Sequence, residues 1–386
     1  MKKSLFILAT AAIALASCNN DVKIAENKTL NDANEITFRP LVPRVMRAPG
    51  IDVSTLQGPG FTVFATKGSD FSEKYFNETK FTYSAGTYTS STKYYWPSSG
   101  TLDFYAYAYN GADGQVSHTP QTKAFAVTPD AAAANQTDLV FANTNGKSKA
   151  GTYDGGTKQY GKDGVPLNFR HAESKITVQL KNSSTALKVT VSDVAIGYLN
   201  TTGTYTYSGS TTNTDTDHAS EYLKFGDWTA KSGTGSYTQT ATTTEYTSAT
   251  EATALPQSYI LIPQELTTAS VYSGTTARDG DTPGSPFNGA FITVQLKIQN
   301  AVNNAYIVGD NSNYVTALWP LPAGTWNPGY HYTYTVDLAG GGYYPDNHDT
   351  DTDLDPILED AEIKFVSVTV DTWADGGTTN VNNNPS

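Results

Sequence analysis

Residues 175–180, Lys-Ile-Thr-Val-Gln-Leu, alternate polar and apolar side chains without a break. Successive side chains on a strand point to opposite faces, so this two-residue period buries one face only as a β-strand. Similar short runs recur at residues 61–65, 102–109, 187–196 and 291–298, separated by spacers rich in Gly, Ser, Thr and Asn. Long stretches with helical apolar spacing are scarce. With 25 Tyr and 32 Gly, the composition favours strands and turns over helices. The expected fold class is all-β, built as sandwiches rather than as a parallel α/β sheet. Along residues 104–109, Phe104, Ala106 and Ala108 alternate with Tyr105, Tyr107 and Tyr109, which gives one strand an aromatic face and a smaller-residue face.

The N-terminus has a different character. Lys2 and Lys3 precede an apolar run from Leu5 to Leu15, and Ala16 and Ser17 lead to Cys18, the only cysteine in 386 residues. The run is shorter than the roughly 20 residues a membrane-spanning helix needs, so it reads as an export signal. Leu15-Ala16-Ser17-Cys18 resembles a bacterial lipoprotein signal, in which the cysteine thiolate is the lipidated nucleophile. On this reading residues 1–17 are the signal peptide and Cys18 carries the lipid. The acyl chains then supply the only membrane anchor.

Between Cys18 and about Asn34 the chain is polar and unpatterned, as a tether would be. Residues 35–39 then read as a short first strand holding Ile36 and Phe38. Pro40, Pro43 and Pro49 forbid a central strand beyond it and leave Arg44 and Arg47 in an extended loop. A spacer at residues 142–162 places a division near Gly164, and residues 201–217 read as a loop or hairpin tip. Near the end, residues 363–373 form an apolar strand with Ile363, Phe365, Val366, Val368, Val370 and Trp373. Its apolar phase changes between Phe365 and Val366, which predicts a bulge or a break between two short strands.

The charge balance, 25 Lys and Arg against 37 Asp and Glu, gives a formal net charge of −12 and argues against a nucleic-acid partner. The five histidines include no His-Glu-x-x-His pair, and one cysteine provides no thiolate set, so no metal or other cofactor is expected. There is no Gly-x-Ser-x-Gly elbow, and Phe141 stands where the Gly146-Lys147-Ser148 segment would need a phosphate-loop glycine. The chain is read as a non-enzyme. His171 is read as hydrogen-bonded at a domain junction. Residues 349–355 place carboxylates at alternate positions, but Leu354 or Pro356 occupies the glycine position of a calcium loop. They read as a solvated acidic linker, with calcium as the alternative. The aromatic residues read as cross-strand packing ahead of sugar stacking.

Three segments in order resemble the fimbrillin-like proteins, the type V pilins. They are Tyr94-Tyr95-Trp96-Pro97 followed by residues 102–107, then residues 167–176 (Leu-Asn-Phe-Arg-His-Ala-Glu-Ser-Lys-Ile), then Ala323-Gly324-Thr325 through Tyr330-His331-Tyr332-Thr333-Tyr334. The resemblance spans nearly the whole chain. It implies two transthyretin-like β-sandwich domains in tandem, at residues 48–164 and 165–362. It also implies a lipidated precursor whose propeptide, residues 18–47, is removed by an arginine-specific protease after Arg47, with Arg44 as the second site. Loss of Ile36 and Phe38 would then open a groove. Residues 363–386 are expected to supply a donor strand to the next subunit, which gives an open-ended filament. The implied partners are other fimbrial subunits, the outer membrane through the lipid, and a host surface glycan or protein. The alternative is an unprocessed adhesin or glycan-binding tip protein that keeps its first strand.

Overall fold

The alternation at residues 174–181 becomes one strand of a sandwich in which nearly every apolar run finds a covered face. The computed structural model describes residues 34–41, 55–67, 74–110, 114–118, 122–153, 155–207, 226–248, 251–267, 289–345, 356–358, 365–372 and 378–379. The principal strands are numbered here in chain order. After β1 (Phe38–Leu41), a first large sheet is built from β2 (Phe61–Lys67), β3 (Lys74–Ser84), β4 (Leu102–Asn110) and β5 (Asp138–Lys147). Its spatial order is Arg170–His171, β5, β4, β2, β3, Thr87–Thr89.

Both faces of this sheet are buried at β2, β4 and β5. On one face Phe104, Ala106 and Ala108 pack with Phe61, Val63, Phe81, Val140 and Ala142. On the other, Tyr105 and Tyr107 pack with Phe64, Phe125, Phe141, Tyr205 and Tyr207. The alternation in β4 therefore separates two cores rather than a core from solvent. A four-stranded sheet covers the tyrosine face, in the order Asp227–Ser232, Thr202–Thr206, Ala124–Val127, Val116–His118. The buried phenols are satisfied: Tyr207 Oη donates to Ala106 O at 2.7 Å, and Tyr205 Oη accepts from the Gly226 amide at 3.0 Å.

The second half begins with β6 (Val165–Asn168), which pairs in parallel with β1, and continues through β7 (Ser174–Lys181) and β8 (Leu187–Leu199). It is completed by β9 (Phe291–Asn300), β10 (Val315–Pro320), β11 (Tyr330–Asp337) and β12 (Phe365–Thr372). One sheet runs Thr253–Ala254, β7, β11, β12, Thr378–Thr379, and the facing sheet runs Gly235–Tyr246, β8, β9, Tyr306–Val308, with β10 also on β9. Ile176, Val178 and Leu180 meet Val189, Val191, Ile292, Val294 and Trp319 between them. In β8 the buried set changes phase from Val189 and Val191 to Val194 and Ile196, and a register shift between Val191 and Asp193 accounts for it. One extra residue there restores the inward face.

Hydrogen-bond ladders cross Gly164 in both directions. Residues 165–168, 170–171, 202–206 and 227–232 pair in the first half, while Ala133 joins the second core and the Ile260 amide donates to Gln136 Oε1 at 2.6 Å.

Gly60 enters β2 with φ +66, and a Cβ on it would lie 2.2 Å from the Phe81 carbonyl oxygen of β3. Gly60→Ala is expected to lose at least about 2 kcal/mol of stability, from left-handed strain plus displacement of β3. Urea unfolding followed by tryptophan fluorescence checks it, and an unchanged midpoint contradicts it.

Candidate assembly site

The segment carrying β1 belongs to neither large sheet; it is threaded between two other stretches of backbone. On one side the Ile36 amide donates to Tyr94 O at 2.8 Å and the Trp96 amide to Asn34 O at 2.9 Å. On the other, the Val165 amide donates to Thr37 O at 2.8 Å, and Phe38 to Leu41 run in parallel register with Val165 to Asn168. Ile36 and Phe38 are only 3% and 2% exposed. The Phe38 ring stands edge-on to Phe81, Phe104 and Phe61 at centroid distances of 5.0, 5.2 and 6.4 Å. Trp96 closes the same pocket, edge-on to Phe104 at 5.8 Å.

The polar fastenings of this segment are peripheral. Lys93 pairs with Glu35 at 2.8 Å, Lys149 Nζ donates to Asn34 Oδ1, and Arg39 donates to the Tyr153 hydroxyl at 3.1 Å. Surface pairs of this kind contribute about 0–1 kcal/mol each, so apolar burial and the two ladders hold the strand. The aromatic-proline motif at 94–97 and the motif opening at Leu167 thus supply or adjoin the walls of one seat. Sequence reading singled out both motifs without showing that they face each other, because some 70 residues lie between them.

The end of the chain takes a different position. β12 pairs antiparallel with β11, from Tyr330 opposite Thr372 to Val336 opposite Phe365. The register shifts between Thr335 and Val336, opposite Ser367 and Phe365, so the expected bulge falls at Val366. Val368 and Val370 are partly buried against the second core. In the single chain, this strand therefore sits on its own second half. Cys18, Arg44, Arg47, Ile363, Trp373 and residues 349–355 lie outside the described residues.

Between the halves lies a buried polar junction carried by residues 170–175. His171 Nδ1 is 2.9 and 3.0 Å from the two Asp138 carboxylate oxygens, which is the hydrogen-bonded arrangement expected of this histidine. Glu173 accepts from the Leu139 amide at 3.1 Å, and burial next to Asp138 holds its carboxyl well above the usual carboxylate range. Burial also pushes the Lys175 ammonium down to about 8. Hydrogen bonds from the Trp228 indole Nε1 to Ala172 O and from the Gly329 amide to Glu173 O bind this stretch to both halves. Among the described residues, no group of His, Cys, Asp and Glu is arranged to hold a metal ion.

Truncating Phe38 to Ala in the full-length protein is expected to cost about 3–5 kcal/mol, since the ring fills a pocket of packed aromatic side chains. Thermal unfolding of the unprocessed chain measures this, and a shift no larger than for an exposed substitution contradicts the seat.

His331 lies opposite Lys175 in the parallel ladder and 2.8 Å from Thr177 Oγ1. Burial, aided by the Lys175 charge, pushes its imidazole from 6.5 down to about 4. The unfolded chain then binds a proton near pH 6.5 that the folded chain refuses until about pH 4, so stability falls as pH drops through that window. His331→Gln is expected to remove about 3 kcal/mol of this acid-side loss, at 1.36 kcal/mol per unit. Denaturant titrations at pH 7 and pH 4.5 check the slope, and parallel losses in both proteins contradict it.

Comparison with known proteins places these features in context. The model of the family described as Fimbrillin-like matches residues 47–373. A fimbrial protein from Bacteroides vulgatus superposes with a TM-score of 0.50 at 14% identity, covering 88% of this chain and 99% of that one. A proposed cell adhesion protein from Parabacteroides distasonis gives 0.45 at 10% identity over 89% and 98% of the two chains. The tip fimbrial protein Mfa3 from Porphyromonas gingivalis, with a C-terminal truncation, gives 0.30 at 11% identity over 81% and 93%. No curated protein matches by sequence.

Proposed function

The chain belongs to the fimbrillin-like family, a family of fimbrial and adhesion proteins rather than enzymes, and from this premise we propose that it is a structural subunit of a surface fimbria. Its two halves are read as tandem transthyretin-like sandwiches, divided near Gly164 with interlocking edges. The protein is exported as a precursor lipidated at Cys18 and held at the outer membrane. Cleavage after Arg47, or at Arg44, releases the segment that carries Ile36 and Phe38. The groove so opened takes residues 363–373 of another subunit, and repetition of the step builds a filament.

The observation that carries this reading is the seat of β1. A segment hydrogen-bonded along both sides and anchored by one aromatic ring leaves, on removal, two unpaired backbones around an apolar pocket. An incoming extended strand satisfies such a site through main-chain bonds, with alternate side chains setting its register. The segment also leads into the proline-punctuated stretch containing Arg44 and Arg47, a sequence suited to cleavage. The donor is the same kind of element as the strand it replaces. Ile363, Phe365, Val368 and Val370 supply apolar side chains on a β-prone backbone.

The test is N-terminal sequencing of the protein from intact cells, combined with Arg44→Ala plus Arg47→Ala. Fibre-associated protein is expected to begin at Ala48, and the precursor at an acylated Cys18. The double variant is expected to accumulate as folded, unpolymerised precursor. Normal fimbriae built from the double variant contradict the mechanism, and fimbrial protein that still begins at Cys18 favours the unprocessed tip adhesin.

A further inference from the structure

The segment that fills the seat and the segment proposed to replace it share a short pattern. Residues 35–38 read Glu-Ile-Thr-Phe, and residues 362–365 read Glu-Ile-Lys-Phe. Glu-Ile stands at these two places and nowhere else in the 386 residues, so the repeat does not come from a dipeptide that this composition makes common. The position that differs is Thr37, which stays partly exposed between buried Ile36 and Phe38.

Each of the shared residues has a defined place in the seat. Glu35 bridges to the Tyr95 backbone, and its carboxylate meets Lys93 Nζ at 2.8 Å, with the lysine side chain 54% exposed and the glutamate 22%. The Ile36 side chain is buried while its amide bonds to Tyr94 O, and the Phe38 ring stands against Phe61, Phe81 and Phe104. Cleavage after Arg47 removes all of them at once. Lys93 then loses the Glu35 carboxylate at the rim of an empty apolar pocket.

We propose that residues 362–365 of the next subunit take the places of residues 35–38, with Glu362 paired to Lys93, Ile363 at the Ile36 position and Phe365 in the Phe38 pocket. The donor then runs in the direction of the strand it replaces, parallel to Val165–Asn168, and inherits that strand's register. This rests on the donor reading given above. In the single chain Phe365 lies opposite Val336, so donation strips it from β11. Other registers fit the seat less well. A shift of one residue either way brings Lys364 into an apolar position, and Phe365 at position 36 puts Ser367 into the ring pocket. Ile363 at position 38 leaves only Ala361 at position 36. Val368 and Val370 at positions 36 and 38 put Ser367 beside Lys93 and leave a valine where a phenylalanine ring stood. A rim pair this exposed adds little affinity, but it selects among registers by whether a carboxylate reaches the lysine.

Processed chains beginning at Ala48 lack Cys18, so paired cysteines test the placement directly. Lys93→Cys with Glu362→Cys is expected to link polymerising chains into a covalent ladder under mild oxidation, and Lys93→Cys with Asp375→Cys is expected to give none. A charge swap gives a second reading through the polymerisation rate, followed by light scattering. Lys93→Glu or Glu362→Lys alone is expected to slow assembly several-fold, and the two together to restore it, a rescue that a merely structural loss at either site does not show. A ladder through residue 375 overturns the proposed direction. Fibres that need residues 363–373 but show neither the ladder through residue 362 nor the rescue overturn the register and leave the donor reading standing. Fibres formed by chains ending at residue 362 overturn the donor reading and this proposal with it, as do processed chains that never polymerise.

Discussion

The N-terminal half depends on one strand that it does not hold by a large sheet. Phe38 fills the mouth of an aromatic core, and the backbone around it is paired to Tyr94 and Trp96 on one side and to Val165–Asn168 on the other. Each paired amide contributes only about 1 kcal/mol net, but a buried group left without a partner costs about 1–3 kcal/mol. This asymmetry makes the seat demanding. Its walls are stable only when something extended and apolar lies between them, whichever segment supplies it.

The first sheet shows why the seat has to be filled. Its opposite face is already covered by the small sheet, with Phe64, Tyr105 and Tyr107 packed under Phe125, Tyr205 and Tyr207. β2, β4 and β5 are therefore a middle layer with almost no solvent-facing side, while β3 keeps Asn77, Lys80 and Thr82 in solvent. That layering also explains why residues far along the chain, 202–206 and 227–232, return to the first half. A two-faced sheet needs more covering strands than its own stretch of sequence provides. The return path is fastened through residues 170–175, where His171 pairs with Asp138 and Glu173 accepts from the Leu139 amide, all of them buried. Buried carboxylates are tolerated there because each has a donor or a raised affinity for its proton. The same arrangement reads as a brace between halves, in a family of fimbrial and adhesion proteins.

Strand by strand, the sequence was legible wherever period alone decides the outcome. Residues 175–180 alternate, and β7 buries Ile176, Val178 and Leu180. The phase change at Val366 marks a position where a ladder slips, whereas the slip between Val191 and Asp193 emerged only from the ladder itself. Phe104 and Tyr105 point to opposite faces, as their spacing requires. The family motifs were also visible in order along the chain, although their positions in line said nothing about which of them would touch.

What the amino-acid sequence determined by itself was the all-β class and the register-bearing runs, because side-chain alternation and turn chemistry act over a few residues. Only the tertiary structure decided that both faces of β4 are buried and that the motifs at Trp96 and Leu167 flank one strand. These are statements about which surfaces cover which. A strand's period says that a face will be buried but carries no information about the partner. That partner is chosen by the packing of residues tens to hundreds of positions apart, once the whole chain competes for the same apolar surface.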